Sequence, residues 1–312
     1  MGQPRRRLTA GPPQVVVCGD VINDVVVKAS GPAAPRTDTP AVIRTCPGGS
    51  AANQAAWLAY LGTPVAFAGR VGARDAEYHQ RELARAGVRT HLAVDPDADT
   101  GSIVIMVARD GERTMFTDRG ANLRLRRSDL PARLLDDAAV LHLTGYTFCE
   151  PPLLDVALWL IGEARARGLA VTIDPGSASF LTKMEPGAFL RWTAGAAVCF
   201  PNRDEAEVLT GQSDPAAMAA SLTRFYGTVV VTLGGQGCVL AVPGEAPVRV
   251  PAYPAHVRDT TGAGDAFCAA FLSRWLADIA DPRSRRPDLA RAADFAARTA
   301  AKVVTRLGAR PV

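Results

Sequence analysis

The chain has 312 residues, 48% of them hydrophobic, with 35 basic against 31 acidic side chains and a net charge of +4. That length suits one large α/β domain with its own core, and a basic excess drawn mostly from Arg5, Arg6 and Arg7 excludes the broad cationic surface that holds nucleic acid. No stretch reaches the roughly 18 uninterrupted apolar residues of a membrane-spanning helix, and the six cysteines, scattered without a CxxC pair, read as reduced core residues of a cytoplasmic protein rather than a disulfide framework or metal site.

Residues 1–13 are basic and proline-rich with no apolar stretch behind them, which predicts a flexible tail and not an export signal. From Val15 onward, short β-branched runs alternate with segments of helical period, the pattern of parallel strands joined by crossover helices. Strands are predicted over Val15–Cys18, Val65–Ala68, Val140–Leu143, Ala170–Ile173, Ala197–Phe200 and Val229–Leu233. Helices are predicted over Ala51–Leu61, Ala76–Ala86, Leu153–Arg167, Ala216–Phe225, Ala266–Ala280 and Leu289–Val304. The expected architecture is a doubly wound, mostly parallel sheet with helices on both faces, occupying residues 14–312. Two segments break the alternation, 25–45 and 101–117, where strand-like pieces follow one another without helices. The second contains Asp110-Gly111, a hairpin signal, and together they predict a small antiparallel sheet placed as a lid.

Gly262, Ala263, Gly264 and Asp265 stand immediately ahead of a predicted helix, where backbone N–H groups at the positive helix end suit an anion. A carboxylate held there can take a proton from a hydroxyl during phosphoryl transfer, although a glycine turn with an aspartate cap has the same pattern. Gly48 and Gly49 precede an apolar helix and let a ligand approach the backbone, and Asn53 offers both donor and acceptor to hydroxyls. Asp24 lies in the segment after the first strand, where ligands of open α/β sheets gather, whereas Asp20 and Asn23 read as turn formers. Asn202 and Glu205 follow Ala197–Phe200 and open a helix. A carboxylate there suits Mg²⁺, often through water, and the spacing equally suits a capping box. Thr232, Gly234, Gly235 and Gly237 make a small-residue turn that admits a phosphate or simply closes a hairpin. The four histidines have no metal-ligand spacing, and no GxxxxGK[ST] segment is present, which disfavours a P-loop kinase.

Taken together these segments resemble the ribokinase-like (PfkB) carbohydrate kinases. Asp259 to Phe267 (DTTGAGDAF) is similar to the family's C-terminal signature, and Pro47 to Ala55 (PGGSAANQA) to its N-terminal one. Asn202 to Glu205 matches NxxE, and Thr232 to Gly237 its nucleotide loop. The resemblance implies ATP and Mg²⁺ as cofactors, with a monovalent cation in some members, and in-line transfer of the γ-phosphoryl group to a primary hydroxyl of a sugar-like molecule. It also implies roles: Asp265 as base; Asp24, Gly48, Gly49 and Asn53 at the acceptor; Asn202, Thr232, Gly234, Gly237 and Thr260 at the nucleotide; Glu205 at Mg²⁺ through water. The lid doubles as a dimer interface in several members, so a homodimer is expected through it. Departures concern the acceptor: Ser50 stands where ribokinases carry a basic residue, Thr144 and Gly145 where an acidic sugar ligand is usual, and Ala297 where an asparagine lies near adenine. The chain stops at Val312, before the ribokinase tail that helps build the monovalent-cation site, and Arg74 replaces the aspartate of GxVGxD with Asp75 just after it. Asp174 to Ser177 lacks the asparagine and arginine of ketodeoxygluconate-type kinases. Apart from the lid arginines Arg44 and Arg113, no basic cluster suggests a phosphorylated acceptor. A nucleoside kinase, with Tyr146 and Phe148 lining a base pocket, and a catalytically idle sugar-binding regulator are the alternatives.

Overall fold

The computed structural model describes residues 14–32, 35–107, 113–284 and 286–311. The predicted tail, 1–13, and the Asp110-Gly111 turn lie outside them. The main sheet runs in the order β13 (Val248–Val250), β12 (Cys238–Ala241), β11 (Thr228–Thr232), β10 (Val198–Cys199), β9 (Ala170–Asp174), β8 (Ala138–Thr144), β1 (Gln14–Cys18), β4 (Val65–Gly72) and β5 (Arg89–Asp95). Neighbours from β11 to β5 are parallel, and β12 and β13 return antiparallel at one edge.

Strand alternation explains the burial of both faces. In β1, Val16 and Cys18 point into one core and Val15 and Val17 into the other, so every side chain of the run is apolar. The first core is covered by α3 (Pro151–Ala166), α4 (Ala178–Lys183), α5 (Pro186–Thr193), α6 (Arg203–Thr210) and α7 (Pro215–Leu222), through residues such as Leu160, Leu181, Phe189, Leu209 and Met218. The second is covered by α1 (Ser50–Tyr60), α2 (Ala76–Arg85), α8 (Ala263–Ala280) and α9 (Leu289–Val303), through residues such as Leu58, Leu83, Phe271 and Ala296. This is the doubly wound, mostly parallel arrangement expected.

The accessory sheet has the order β3 (Ala41–Gly48), β2 (Ile22–Ala29), β6 (Thr100–Val107) and β7 (Arg113–Gly120). It is mixed, not wholly antiparallel, because β2 and β6 pair in parallel. A parallel pair needs a crossover, and here α1, β4, α2 and β5 intervene between the two strands. Both excursions are longer than the expected 25–45 and 101–117, so that Asp24 and Gly48 fall inside the sheet.

Two tertiary ties position the segments that matter. Asp20, 5% exposed, accepts from the backbone N–H groups of Ser50 (3.3 Å) and Ala51 (3.2 Å), capping α1 from across the β1 exit in place of the residue at its N-cap, Gly49. Asn23 donates to Asp75 at 2.5 Å. The two residues therefore make long-range structural bonds, not local turns. After α9 the chain folds back along the loop before α8: the amides of Arg258 and Asp259 donate to the Val304 carbonyl, at 2.7 and 3.2 Å, and that of Gly308 to the Asp259 carboxylate at 3.1 Å.

Replacing Asp20 leaves the first amides of α1 and the buried Arg119 guanidinium, 3.5 Å away, without their carboxylate. Asp20→Ala is expected to cost about 1–3 kcal/mol of unfolding free energy. Urea denaturation checks this as a lower midpoint at an unchanged slope; an unchanged midpoint contradicts the capping role.

Candidate active site

The N-terminal turns of α1 and α8 meet at the second core. Asp265 lies in the first turn of α8 and accepts from Ser50 Oγ (2.7 Å), Asn53 Nδ2 (2.9 Å) and Gln54 Nε2 (3.3 Å), all on α1. Burial pushes its carboxyl above the ordinary carboxylate range, while these three donors oppose the shift. Gln54 and Asn53 are both buried. Gln54 also donates to Asp174 at 2.6 Å, and its side-chain oxygen is bonded to His142 Nε2. His142 is buried and its pKa is pushed down to about 3 by desolvation, so it is a neutral member of this network.

Asp24, on β2, is 8% exposed and sits against Gly48, where an added Cβ would overlap its carboxylate. Its pKa is pushed up to about 7 by burial and by the charges of Asp20 and Asp265, against the lowering influence of Arg310. Gly48 and Gly49 connect β3 to α1, so the expected acceptor residues Asp24, Gly48, Gly49 and Asn53 are all brought to this junction beside Asp265.

On the other side of the α8 N-terminus, Asn202, Thr232, Gly234, Gly237 and Thr260 line one cavity of about 690 Å³, together with Ala263 and Gly264. Its lining also includes the apolar side chains of Leu233, Tyr253, Phe267, Ala297 and Val304. Small residues and helix-terminal amides combined with apolar side chains in one cavity suit a nucleotide's phosphates and base. Gly262 has φ +75°, and a Cβ there would come within 2.6 Å of the Ala309 backbone, so only glycine turns the loop into α8 at this point. The Ala263 amide is spent on the Thr260 carbonyl at 3.2 Å, whereas those of Gly264 and Asp265, at the start of α8, have no backbone acceptor outside the helix among the described residues.

Asn202 and Glu205 form a capping box. Asn202 Oδ1 accepts from the Glu205 amide (2.9 Å), and the Glu205 carboxylate accepts from the Asn202 amide (2.9 Å) and Nδ2 (2.7 Å). Glu205 is 2% exposed and its carboxyl is raised by burial and by Asp174. Buried and already accepting at both oxygens, it suits a cation contact made through water. Among the described residues no group of three or more His, Cys, Asp or Glu is arranged to hold a metal ion.

Other expectations fall elsewhere. Phe148 is 2% exposed and packs on Phe189 and Trp192, so it belongs to the core and lines no base pocket. Tyr146 donates to the Gly176 carbonyl and carries the Arg119 guanidinium 4.1 Å above its ring. Arg44 is exposed, and the Arg113 side chain lies outside the described residues. Arg74 is exposed, while Asp75 takes the inward position and accepts from Asn23 and Thr100. The cation that does reach the acceptor side is Arg310, which no motif marked: it donates to Asn53 Oδ1 and to the Gly48 carbonyl. Gln54 was also passed over, since its partners Asp174, Asp265 and His142 lie far away in sequence.

The model of the pfkB family carbohydrate kinases matches residues 12–312. The chain is 32% identical to mouse (Mus musculus) ribokinase over 240 residues, 74% of this chain and 71% of that protein. It is 29% identical to fructokinase-1 of rice (Oryza sativa subsp. japonica) over 311 residues, 95% of this chain and 93% of that one. Among solved structures, adenosine kinase from Sinorhizobium meliloti superposes with a TM-score of 0.84 at 26% identity, covering 97% of both chains.

The raised Asp24 carboxyl predicts a pH-dependent stability. Its folded pKa of about 7 lies above the unfolded value near 3.8, so the folded state holds this proton more tightly. The stabilisation is complete below pH ~4 and is lost as pH rises to about 7. Relative to Asp24→Asn, the wild type is expected to lose on the order of 2–4 kcal/mol across that window. Thermal or urea unfolding of both proteins at pH 4.5 and 8 measures the difference; parallel pH profiles contradict it.

Proposed function

The chain belongs to the pfkB family of carbohydrate kinases, and from that premise we propose that it transfers the γ-phosphoryl group of ATP to a primary hydroxyl of a sugar or sugar-like molecule. One observation carries this reading: the Asp265 carboxylate stands at the first turn of α8, between the 690 Å³ cavity and the Ser50–Asn53 turn of α1. A base there faces a phosphate on one side and an acceptor on the other.

In the proposed reaction the acceptor oxygen forms a bond to the γ-phosphorus as the bridging bond to ADP breaks, and Asp265 receives the hydroxyl proton. Asp24 and Asn53 orient the acceptor, and the amides of Gly264 and Asp265 stabilise the charge on the transferred group. Asn202, Thr232, Gly234, Gly237 and Thr260 hold the nucleotide. Glu205 would hold Mg²⁺ through its water shell, and the ion would supply neutralisation of the phosphate charge. The accessory sheet closes over the acceptor to exclude water. Its exposed Val42, Ile43, Met115 and Phe116 support the family-based expectation of a homodimer formed through it. No helix of the described residues is long and apolar enough to cross a membrane.

A nucleoside acceptor is the second reading, favoured by the similarity to an adenosine kinase. The polar acceptor side, with Asp24, Asn53 and Arg310 and without Phe148, supports a polyol more directly.

Asp265→Asn keeps the shape of the side chain and removes its basicity. Turnover in a coupled ADP-release assay is expected to drop by about 10² to 10⁴ with folding and ATP binding retained. In the wild type the rate should rise with pH through the elevated Asp265 ionisation, because only the carboxylate accepts a proton. Near wild-type turnover in the variant rules Asp265 out as the base.

A further inference from the structure

The acceptor side holds a half-buried positive group, Arg310, that forms no salt bridge among the described residues. The segment that carries Arg310 is fixed by residues already placed: the Val304 carbonyl and Gly308 amide are tied to the loop before α8, Trp57 Nε1 donates to the Ala309 carbonyl at 2.8 Å, and Ala309 occupies the space left by Gly262. The guanidinium is thereby delivered to the turn between β3 and α1. Its Nε donates to Asn53 Oδ1 at 3.0 Å and its Nη2 to the Gly48 carbonyl at 2.9 Å. Both acceptors are neutral. Its Nη1 is buried and has no hydrogen-bond partner among the described residues.

Burial lowers the Arg310 pKa to about 10, with Tyr78, Asp24, Glu82 and Asp265 acting in the opposite direction, so it remains a cation at neutral pH. An unsatisfied donor on a buried guanidinium costs free energy that a ligand oxygen recovers. A guanidinium has planar, forked donors that match a carboxylate. A phosphate dianion fits less well, because Asp24 and Asp265 act on the same guanidinium and no second cation is bonded to Asn53 or Gly48 among the described residues.

We propose that Arg310 is the specificity-determining residue of the acceptor site, and that the acceptor is a sugar acid whose carboxylate takes the free Nη1 while its primary hydroxyl lies at Asp265. This deepens the phosphotransfer reading and rests on it for the placement of the hydroxyl. The carboxylate itself is unchanged in the reaction. The hydroxyl is the only group of the acceptor that gains a bond, to the γ-phosphorus.

Calorimetric titration of five- and six-carbon aldonates against the matching aldoses, with ADP and Mg²⁺ present, tests the assignment without requiring turnover. At least one aldonate should bind about 10-fold or more tightly than its aldose. Arg310→Gln should erase that preference, weakening the aldonate by about 10- to 100-fold and the aldose by less than about 3-fold, with partial recovery in Arg310→Lys. The inference is overturned if no aldonate outbinds its aldose in the wild type, a comparison that stands even where a variant fails to fold. It is equally overturned if Arg310→Gln weakens both ligands alike. ADP release with the same compounds separates the two claims. An aldonate that binds through Arg310 but drives no ADP release sinks the phosphotransfer reading alone, and turnover confined to neutral sugars sinks the sugar-acid assignment alone.

Discussion

A single carboxylate accepting three side-chain hydrogen bonds from one helical turn holds the two ends of this fold together. Ser50, Asn53 and Gln54 belong to the first helix of the chain and Asp265 to the second-last, more than 200 residues away. Taking a carboxylate out of water is costly unless its lone pairs are satisfied, and here donors on α1 satisfy them. The requirement propagates backwards. Gln54 can serve Asp265 and Asp174 only because His142 fixes its other end, and α1 can present all three donors only because Asp20 caps it and Gly48 leaves room for Asp24. Such a network is stable when complete and expensive when one member is missing.

The fold was largely legible because its core strands are short β-branched runs between long helical periods. Val15–Cys18 and Val229–Val231 are buried on both faces, as the short β-branched runs of a central strand should be. Edge elements were harder. In β5 the sequence Arg89–Asp95 is polar and half-buried, and β13 is a three-residue Val-Arg-Val, so neither presents a clear apolar pattern. The short α4 and α5 are marked by packing of Leu181 and Phe189 and not by any long period. In the accessory sheet the strand-like pieces were visible, but the parallel pairing of β2 with β6 was not, since register between distant strands leaves no local trace.

The candidate site divides in the same way. Glycine turns at helix starts announce themselves, and Gly48, Gly49, Gly262 and Gly264 all lie where an N-terminal turn was expected. Asn202 with Glu205 had two readings of equal spacing, and the capping box is realised, with any contact to a cation left to water. What stayed hidden were single polar residues in apolar surroundings. His142 within a β-strand, Gln54 within an alanine-rich helix and Arg310 near the chain end acquire meaning only from partners brought close by the fold.

The stretch from Val304 to Arg310 belongs to both halves of the site. Val304 forms part of the wall of the cavity proposed for the nucleotide and anchors the loop before α8, while Arg310, six residues on, contacts Asn53 and Gly48. A displacement of this strap by one occupant is therefore felt by the other. Thermodynamic reciprocity then requires that whatever factor the nucleotide applies to acceptor affinity, the acceptor applies in equal measure to the nucleotide. Two ligands bound as proposed would then report on each other through seven residues of backbone, without contact between their distal groups.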